Sequence, residues 1–344
     1  MLEELTLYFA LFVQLLTPNK MHSNKFISQQ PFALESGKSL PAVEIAYCTY
    51  GALNGQKDNV IYVCHALTAN ADVADWWPGT VGSGLIFDTD KYFVVCANVL
   101  GSCYGTTGPT SVNPLTGEIY GKDFPLLTIR DLVNAHRLLA AHLQLSSIHL
   151  LCGGSMGGQQ AQEWAIADAG FIKQLFVIAT NPRHSAWGIA FNEAQRMAVE
   201  SGSLETARAI AMLSYRNYNM YESTQTETEE RIENFKAASY QRYQGEKLKK
   251  RFDTNAYHLL SRAMDSHHVG RRRGSMEQAL AQVKAKTLVI GISSDILFPI
   301  SEQKFIAANI PGAVFEEIDS PYGHDGFLIE TEKISGLLRK YLTI

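Results

Sequence analysis

Ser155 stands in Gly153-Gly154-Ser155-Met156-Gly157-Gly158, a G-x-S-x-G pattern between an apolar run at 148–152 and a helix-forming run at 159–165. Strand, sharp turn, helix, with a serine at the apex, is the context of a nucleophile elbow. The turn is tight and the serine backbone strained, so glycines flank it where a Cβ would meet the strand or the helix. The helix start points its free N–H groups and positive dipole end at the serine oxygen. A glycine-rich strand-to-helix loop could instead cradle a phosphate. Here the G-x-x-x-x-G-K-[ST] pattern is missing, and Met156 offers a phosphate nothing. The chemistry indicated is nucleophilic catalysis by a serine hydroxyl.

A serine hydroxyl is weak alone. It needs a base, and the base needs an acid to orient it and stabilise its charged form. In an α/β-hydrolase fold these follow in the order serine, acid, histidine, with acid and histidine just past later strands. Asp295 follows the apolar run 288–292, and His324 follows 314–318 within Ser320-Pro321-Tyr322-Gly323-His324-Asp325-Gly326. Asp295 could serve as a helix N-cap and His324 as a loop hydrogen-bonder, but both sit where the fold places a triad. An oxyanion hole needs two donors. The pattern assigns the backbone N–H of Met156 and, from His65-Ala66-Leu67-Thr68 after the third strand, that of Leu67. His65 comes too early in the chain to be the base and reads as structural.

The positioning elements are legible as alternation. Short apolar runs at 60–64, 92–97, 148–152, 175–179, 287–292 and 314–318 read as buried parallel strands. A strand pair is expected within 32–50, with 32–34 turning at Ser36-Gly37 into 42–50. Helical periodicity at 128–145, with Thr128 as N-cap, and at 334–341 completes a mostly parallel, doubly wound α/β sheet flanked by helices. Residues 183–284 carry helix formers and no convincing strand. They are expected as a helical lid inserted over the ligand-binding edge of the sheet. The division is then a peripheral extension at 1–25, a core at 26–182 and 285–344, and a lid at 183–284.

The chain has 344 residues, 46% of them hydrophobic and 19% charged, with a net charge of −4. That gives no electrostatic case for nucleic acid. Five cysteines without paired spacing argue against a disulfide scaffold and for a reducing, cytoplasmic setting. The apolar stretch 5–16 is too short to span a bilayer and follows Glu3 and Glu4 rather than a basic region, so no membrane role is expected. His267-His268 lacks the spacing of a metal site, and no metal is expected. Arg271-Arg272-Arg273 reads as a solvated basic loop.

Several stretches carry a closer likeness: Cys64 to Thr68; Asn98 to Pro109; Asn113 to Gly117; Thr128-Ile129-Arg130-Asp131; Gly153 to Gly158 with Glu163-Trp164; Arg251 to Tyr257; and Ser320 to Leu328. On these the chain resembles the homoserine O-acyltransferase family of α/β-hydrolase-fold enzymes, from about residue 30 to its end. The resemblance implies ping-pong transfer of an acetyl group from acetyl-CoA, a co-substrate rather than a bound cofactor, to the hydroxyl of L-homoserine through acyl-Ser155, in methionine biosynthesis. It implies that Arg216 pairs with the homoserine carboxylate, that Asp325 holds its amino group, that Tyr221 assists, and that the protein is a homodimer through its lid helices. The segment 197–203 is shorter than the family's. Two alternatives share the triad: a homoserine or serine O-succinyltransferase, and a serine esterase of the same fold. A non-catalytic binding protein is a third class, disfavoured by the intact Ser155, Asp295 and His324.

Overall fold

The structure is a computed structural model that describes residues 21–344. The apolar stretch 5–16 lies outside the described residues. An eight-stranded sheet forms the centre. Its strands are β1 (His22–Ser28), β2 (Val43–Tyr50), β3 (Val60–Cys64), β4 (Phe93–Ala97), β5 (Leu150–Gly154), β6 (Gln174–Ile178), β7 (Lys286–Ile292) and β8 (Val314–Ile318). They lie in the order β1-β2-β4-β3-β5-β6-β7-β8. β2 runs antiparallel to both its neighbours, and the pairs from β4 to β8 are all parallel.

The apolar runs become strands because both faces of the sheet are covered. Leu151, Leu175 and Val177 pack into one core, while Leu150, Cys152, Phe176 and Ile178 pack into the other. Strands buried on both faces read as continuous hydrophobic runs rather than alternating ones. The first core is closed by α1 (Ile129–His142), α2 (Met156–Ala167) and α8 (Ile300–Asn309), and the second by α9 (Thr331–Tyr341). Thr128 caps α1 in a capping box with Asp131. Between β6 and β7 the chain runs through α3 (Ala186–Glu200), α4 (Leu204–Tyr215), α5 (Tyr218–Gln225), α6 (Lys236–Lys249) and α7 (Thr254–Asp265). α4 packs between α3 and α6, and α3 also meets α7.

Three expectations need correction. The sheet begins at His22, inside the segment assigned to a peripheral extension: β1 pairs with β2 from His22↔Thr49 to Ser28↔Val43. The partner of β2 is therefore β1 and not residues 32–34. Phe32–Ala33 pairs only with Ser39–Leu40 around a turn at Gly37, too short to compete with the longer ladder. Arg271 and Arg273 do not form a solvated loop. Arg271 reaches Glu35 at 2.7 Å and Arg273 reaches Glu163 at 2.6 Å, while Arg130 bridges the two carboxylates at 3.1 and 3.3 Å. The network ties the end of the helical excursion to α1, α2 and the turn before β2.

Burial pushes the Glu163 carboxyl above its usual range, with Arg273 and Arg130 pulling it back. Such a pair gains little over an apolar replacement, but removing one partner strands the other charges. Glu163→Ala is expected to lower unfolding stability by about 3–5 kcal/mol, read as a fall in the urea midpoint. A shift no larger than that of an exposed-site substitution would show the network to be dispensable.

Candidate active site

The elbow is built from close backbone contacts. Ser155 has φ 56° and ψ −127°, a conformation that costs a non-glycine residue about 1–3 kcal/mol. Its N–H donates to the Ile178 carbonyl at 3.1 Å and its own carbonyl accepts from Thr180 Oγ1 at 2.8 Å, so β6 and the residues after it hold the strained unit. Gly157 lets α2 start against the end of β3: a Cβ there would lie 2.0 Å from the Cys64 carbonyl oxygen.

His324 Nε2 lies 2.9 Å from Ser155 Oγ, and His324 Nδ1 lies 2.7 Å from Asp295 Oδ2. With Asp295 ionised, Nδ1–H donates to it and Nε2 is left to accept from the serine. Asp295 also does what a cap would do. Its Oδ1 accepts from the Leu297 and Phe298 N–H groups at 2.8 and 2.9 Å, which fixes the carboxylate plane. All three side chains are buried, and the imidazole lies against Phe298 and Phe327 with ring centroids 5.0 and 5.2 Å away. A base held this way acts through one tautomer and one orientation.

Met156 opens α2, where a backbone N–H has no helical partner. Among the described residues, neither its N–H nor that of Leu67 donates to a protein acceptor. His65 braces the Leu67 loop: its Nδ1–H donates to the Ala66 carbonyl at 2.8 Å, and its Nε2 accepts from Val99 N–H at 3.0 Å. Full burial pushes its pKa down to about 4, and both ring nitrogens are committed to backbone partners, so it is a structural brace rather than the base beside Ser155. Gln160 donates to the carbonyls of both His65 and Met156, at 3.2 and 3.0 Å, joining the 65–68 loop to the start of α2. The sequence carried no signal for this role.

Arg216 caps the end of α4, and its Nε lies 2.8 Å from Asp325 Oδ2. This is an ion pair rather than an aligned hydrogen bond, since the Nε–H finds no aligned acceptor. Gly323 (φ +63°) makes the approach possible, because a Cβ there would lie 2.8 Å from the Tyr215 carbonyl oxygen. Burial raises the Asp325 carboxyl, and Arg216, His324 and Arg208 draw it back. Tyr221 lies on α5, and its buried hydroxyl has no hydrogen-bond partner among the described residues. Burial raises that phenol, with Arg216 and Asp325 acting on it in opposite senses. A cavity of about 400 Å³ contains Ser155, His324, Asp325 and Leu67, with Arg208, Lys247 and Arg251 also on its walls. Arg216 does not line it but pairs with Asp325, which does.

An α/β hydrolase fold family model matches residues 59–331. A homoserine O-acetyltransferase of Cyclobacterium marinum is 46% identical over 335 residues, covering 94% of this chain and 95% of the relative. The chain belongs to the homoserine O-acetyltransferase family. The crystal structure of homoserine O-acetyltransferase from Bacillus anthracis superposes with a TM-score of 0.85 at 25% identity, over 94% of this chain and 98% of that one. A crystallised esterase reaches the same TM-score of 0.85 at 24% identity, over 94% of this chain and 100% of that one, a likeness of fold alone.

Asp295→Asn tests the series. Its amide N–H₂ would face Nδ1 and favour the tautomer that cannot accept the serine proton, so turnover is expected to fall by about 10⁴ with the fold intact by circular dichroism. A rate near that of the unaltered protein would place the acid elsewhere.

Proposed function

We propose that this chain transfers the acetyl group of acetyl-CoA to the side-chain hydroxyl of L-homoserine through an acyl-serine intermediate. His324 Nε2 takes the Ser155 proton as Oγ attacks the thioester carbonyl. The tetrahedral oxyanion is received by the Leu67 and Met156 N–H groups, in a pocket where donors need little reorganisation. Asp295 stabilises the imidazolium. Collapse breaks the C–S bond, and the His324 proton leaves with the thiol. Homoserine then enters, His324 deprotonates its hydroxyl, and the resulting attack on acyl-Ser155 releases O-acetyl-homoserine and regenerates the serine. No metal or bound cofactor takes part in this scheme.

The observation that carries an amino-acid acceptor is the Arg216–Asp325 ion pair, one residue past the base. A zwitterion complements such a pair: its ammonium meets Asp325 and its carboxylate meets the guanidinium, whose terminal nitrogens bond no acceptor among the described residues. The uncommitted Tyr221 hydroxyl supplies a further donor to the same group. The resemblance to acetyltransferases at 46% identity favours acetyl-CoA over a succinyl donor and homoserine over serine. An esterase would use the same triad but has no need of the ion pair.

Two further readings belong here. The lid helices expose Met197, Leu213, Tyr218 and Tyr243, and apolar side chains spread over one helical unit suit burial against a second copy. Light scattering is expected to give twice the 38.1 kDa chain mass; the chain mass itself would remove the homodimer. The described residues hold no helix long and apolar enough to cross a membrane. All five cysteines are free, which suits a reducing cytoplasmic setting.

The deciding assay follows thiol release from acetyl-CoA with and without L-homoserine. Release is expected to rise sharply with homoserine; equal release into water alone would make the protein a thioesterase. Arg216→Ala is expected to raise the KM for homoserine by about 10-fold or more, as loss of a charge-assisted pair does, while that for acetyl-CoA moves little. Equal changes in both would remove Arg216 from the acceptor site.

A further inference from the structure

We propose that Arg208, Lys247 and Arg251 bind the phosphate groups of the acyl donor at the mouth of the Ser155 cavity. The inference rests on the transferase reading and names where its nucleotide-bearing thioester is held. All three cations line the cavity that contains Ser155 and His324. Arg208, on α4, is half-buried and lies over the Tyr215 ring at 5.3 Å. Lys247, on α6, and Arg251, just beyond its end, are exposed. The series therefore runs from inside the site to its rim.

None of the three has a carboxylate partner among the described residues. Their neighbours do: Lys249 meets Glu205 at 2.5 Å and Arg216 meets Asp325 at 2.8 Å. Arg251 instead donates to the Thr68 carbonyl at 2.5 Å and the Tyr104 hydroxyl at 2.8 Å. Lys247 and Arg251 both line this one cavity, where like charges without a counter-charge repel. Among the cavity's lining residues the only carboxylates are Asp75 and Asp325, and Asp325 is already paired. An anion is the missing partner.

The cavity also says what kind of anion. Its other walls include the apolar Leu67, Trp76, Phe327 and Leu328. Such a lining suits an uncharged, largely aliphatic arm that carries the thioester inward, with multiply charged groups left at the rim. A coenzyme A thioester has this distribution. The lone carboxylate of a small acid would use one of these cations, not three. Arg251 also holds the Thr68 carbonyl next to Leu67, so the same side chain would touch the donor's phosphate and the loop carrying an oxyanion donor.

The test compares two donors: acetyl-CoA and S-acetyl-N-acetylcysteamine, which keeps the thioester and lacks the nucleotide. The ratio of kcat/KM between them is expected to fall about 10-fold in Lys247→Glu and in Arg208→Gln, as for loss of a charged hydrogen bond. It is expected to hold in Lys250→Glu, an exposed lysine of the same helix end outside the cavity. Calorimetry with coenzyme A itself reads the site independently of turnover, and its affinity should fall in the two cavity variants. Unchanged ratio and unchanged coenzyme A affinity in both would overturn the phosphate site even in an active transferase. Loss of coenzyme A affinity in the variants of a protein that shows no homoserine-dependent thiol release would leave the phosphate site standing and sink the transferase reading.

Discussion

The close approach of α2 to the end of β3 governs the site. Gly157 sits where any Cβ would enter the Cys64 carbonyl. That contact brings the first turn of α2 against the start of the 65–68 loop, which carries the Leu67 N–H. Ser155 keeps its strained conformation because β6 and Thr180 hold the serine backbone on both sides. Nucleophile conformation and helix placement are thus one packing decision rather than two.

A buried polar chain stiffens that decision. Gln160 joins the His65 and Met156 carbonyls and accepts from His136 Nε2 at 2.9 Å, while His136 Nδ1 accepts from the Tyr62 hydroxyl at 3.1 Å. Burial pushes His136 down to about 4, so it remains neutral and keeps the tautomer this chain requires. Fully satisfied networks of this kind specify one arrangement because any slip leaves a desolvated donor or acceptor. The 65–68 loop is therefore anchored to α1 and β3 through buried side chains.

What could be read from the sequence follows the reach of each signal. The elbow is local: strand, turn and helix adjoin in the chain, so its residue types state their purpose. Asp295 and His324 lie far from Ser155 in sequence, yet strand order places them, since each follows a strand of fixed rank in the sheet. The Gln160 chain and the Arg130–Glu163–Arg273 network have no such frame. A glutamine in a helix-forming run looks like any solvated residue, and three adjacent arginines look like a charged loop, until tertiary packing brings Glu35 and Glu163 to them. The first strand was missed for a related reason. His22–Ser28 alternates between exposed and half-buried positions as an edge strand does, and its weak apolar signal lost to the closer but shorter run at 32–34.

The adjacency of His324 and Asp325 bears on why an amino acid rather than water should resolve an acyl-serine. A triad alone activates any hydroxyl that reaches it, water included. Selectivity must come from holding one hydroxyl in line, and well-oriented groups reach effective concentrations of about 10⁵ M or more. Asp325 hangs from the same short 3-10 turn as the base, so an ammonium held there is positioned in the frame of His324 itself. Gly323, pressed against the end of α4, then brings Arg216 into that frame. On the proposed reading, acceptor recognition and proton transfer share one turn, and a hydroxyl carried on a zwitterion would gain an orientation that a water molecule has no charge to acquire.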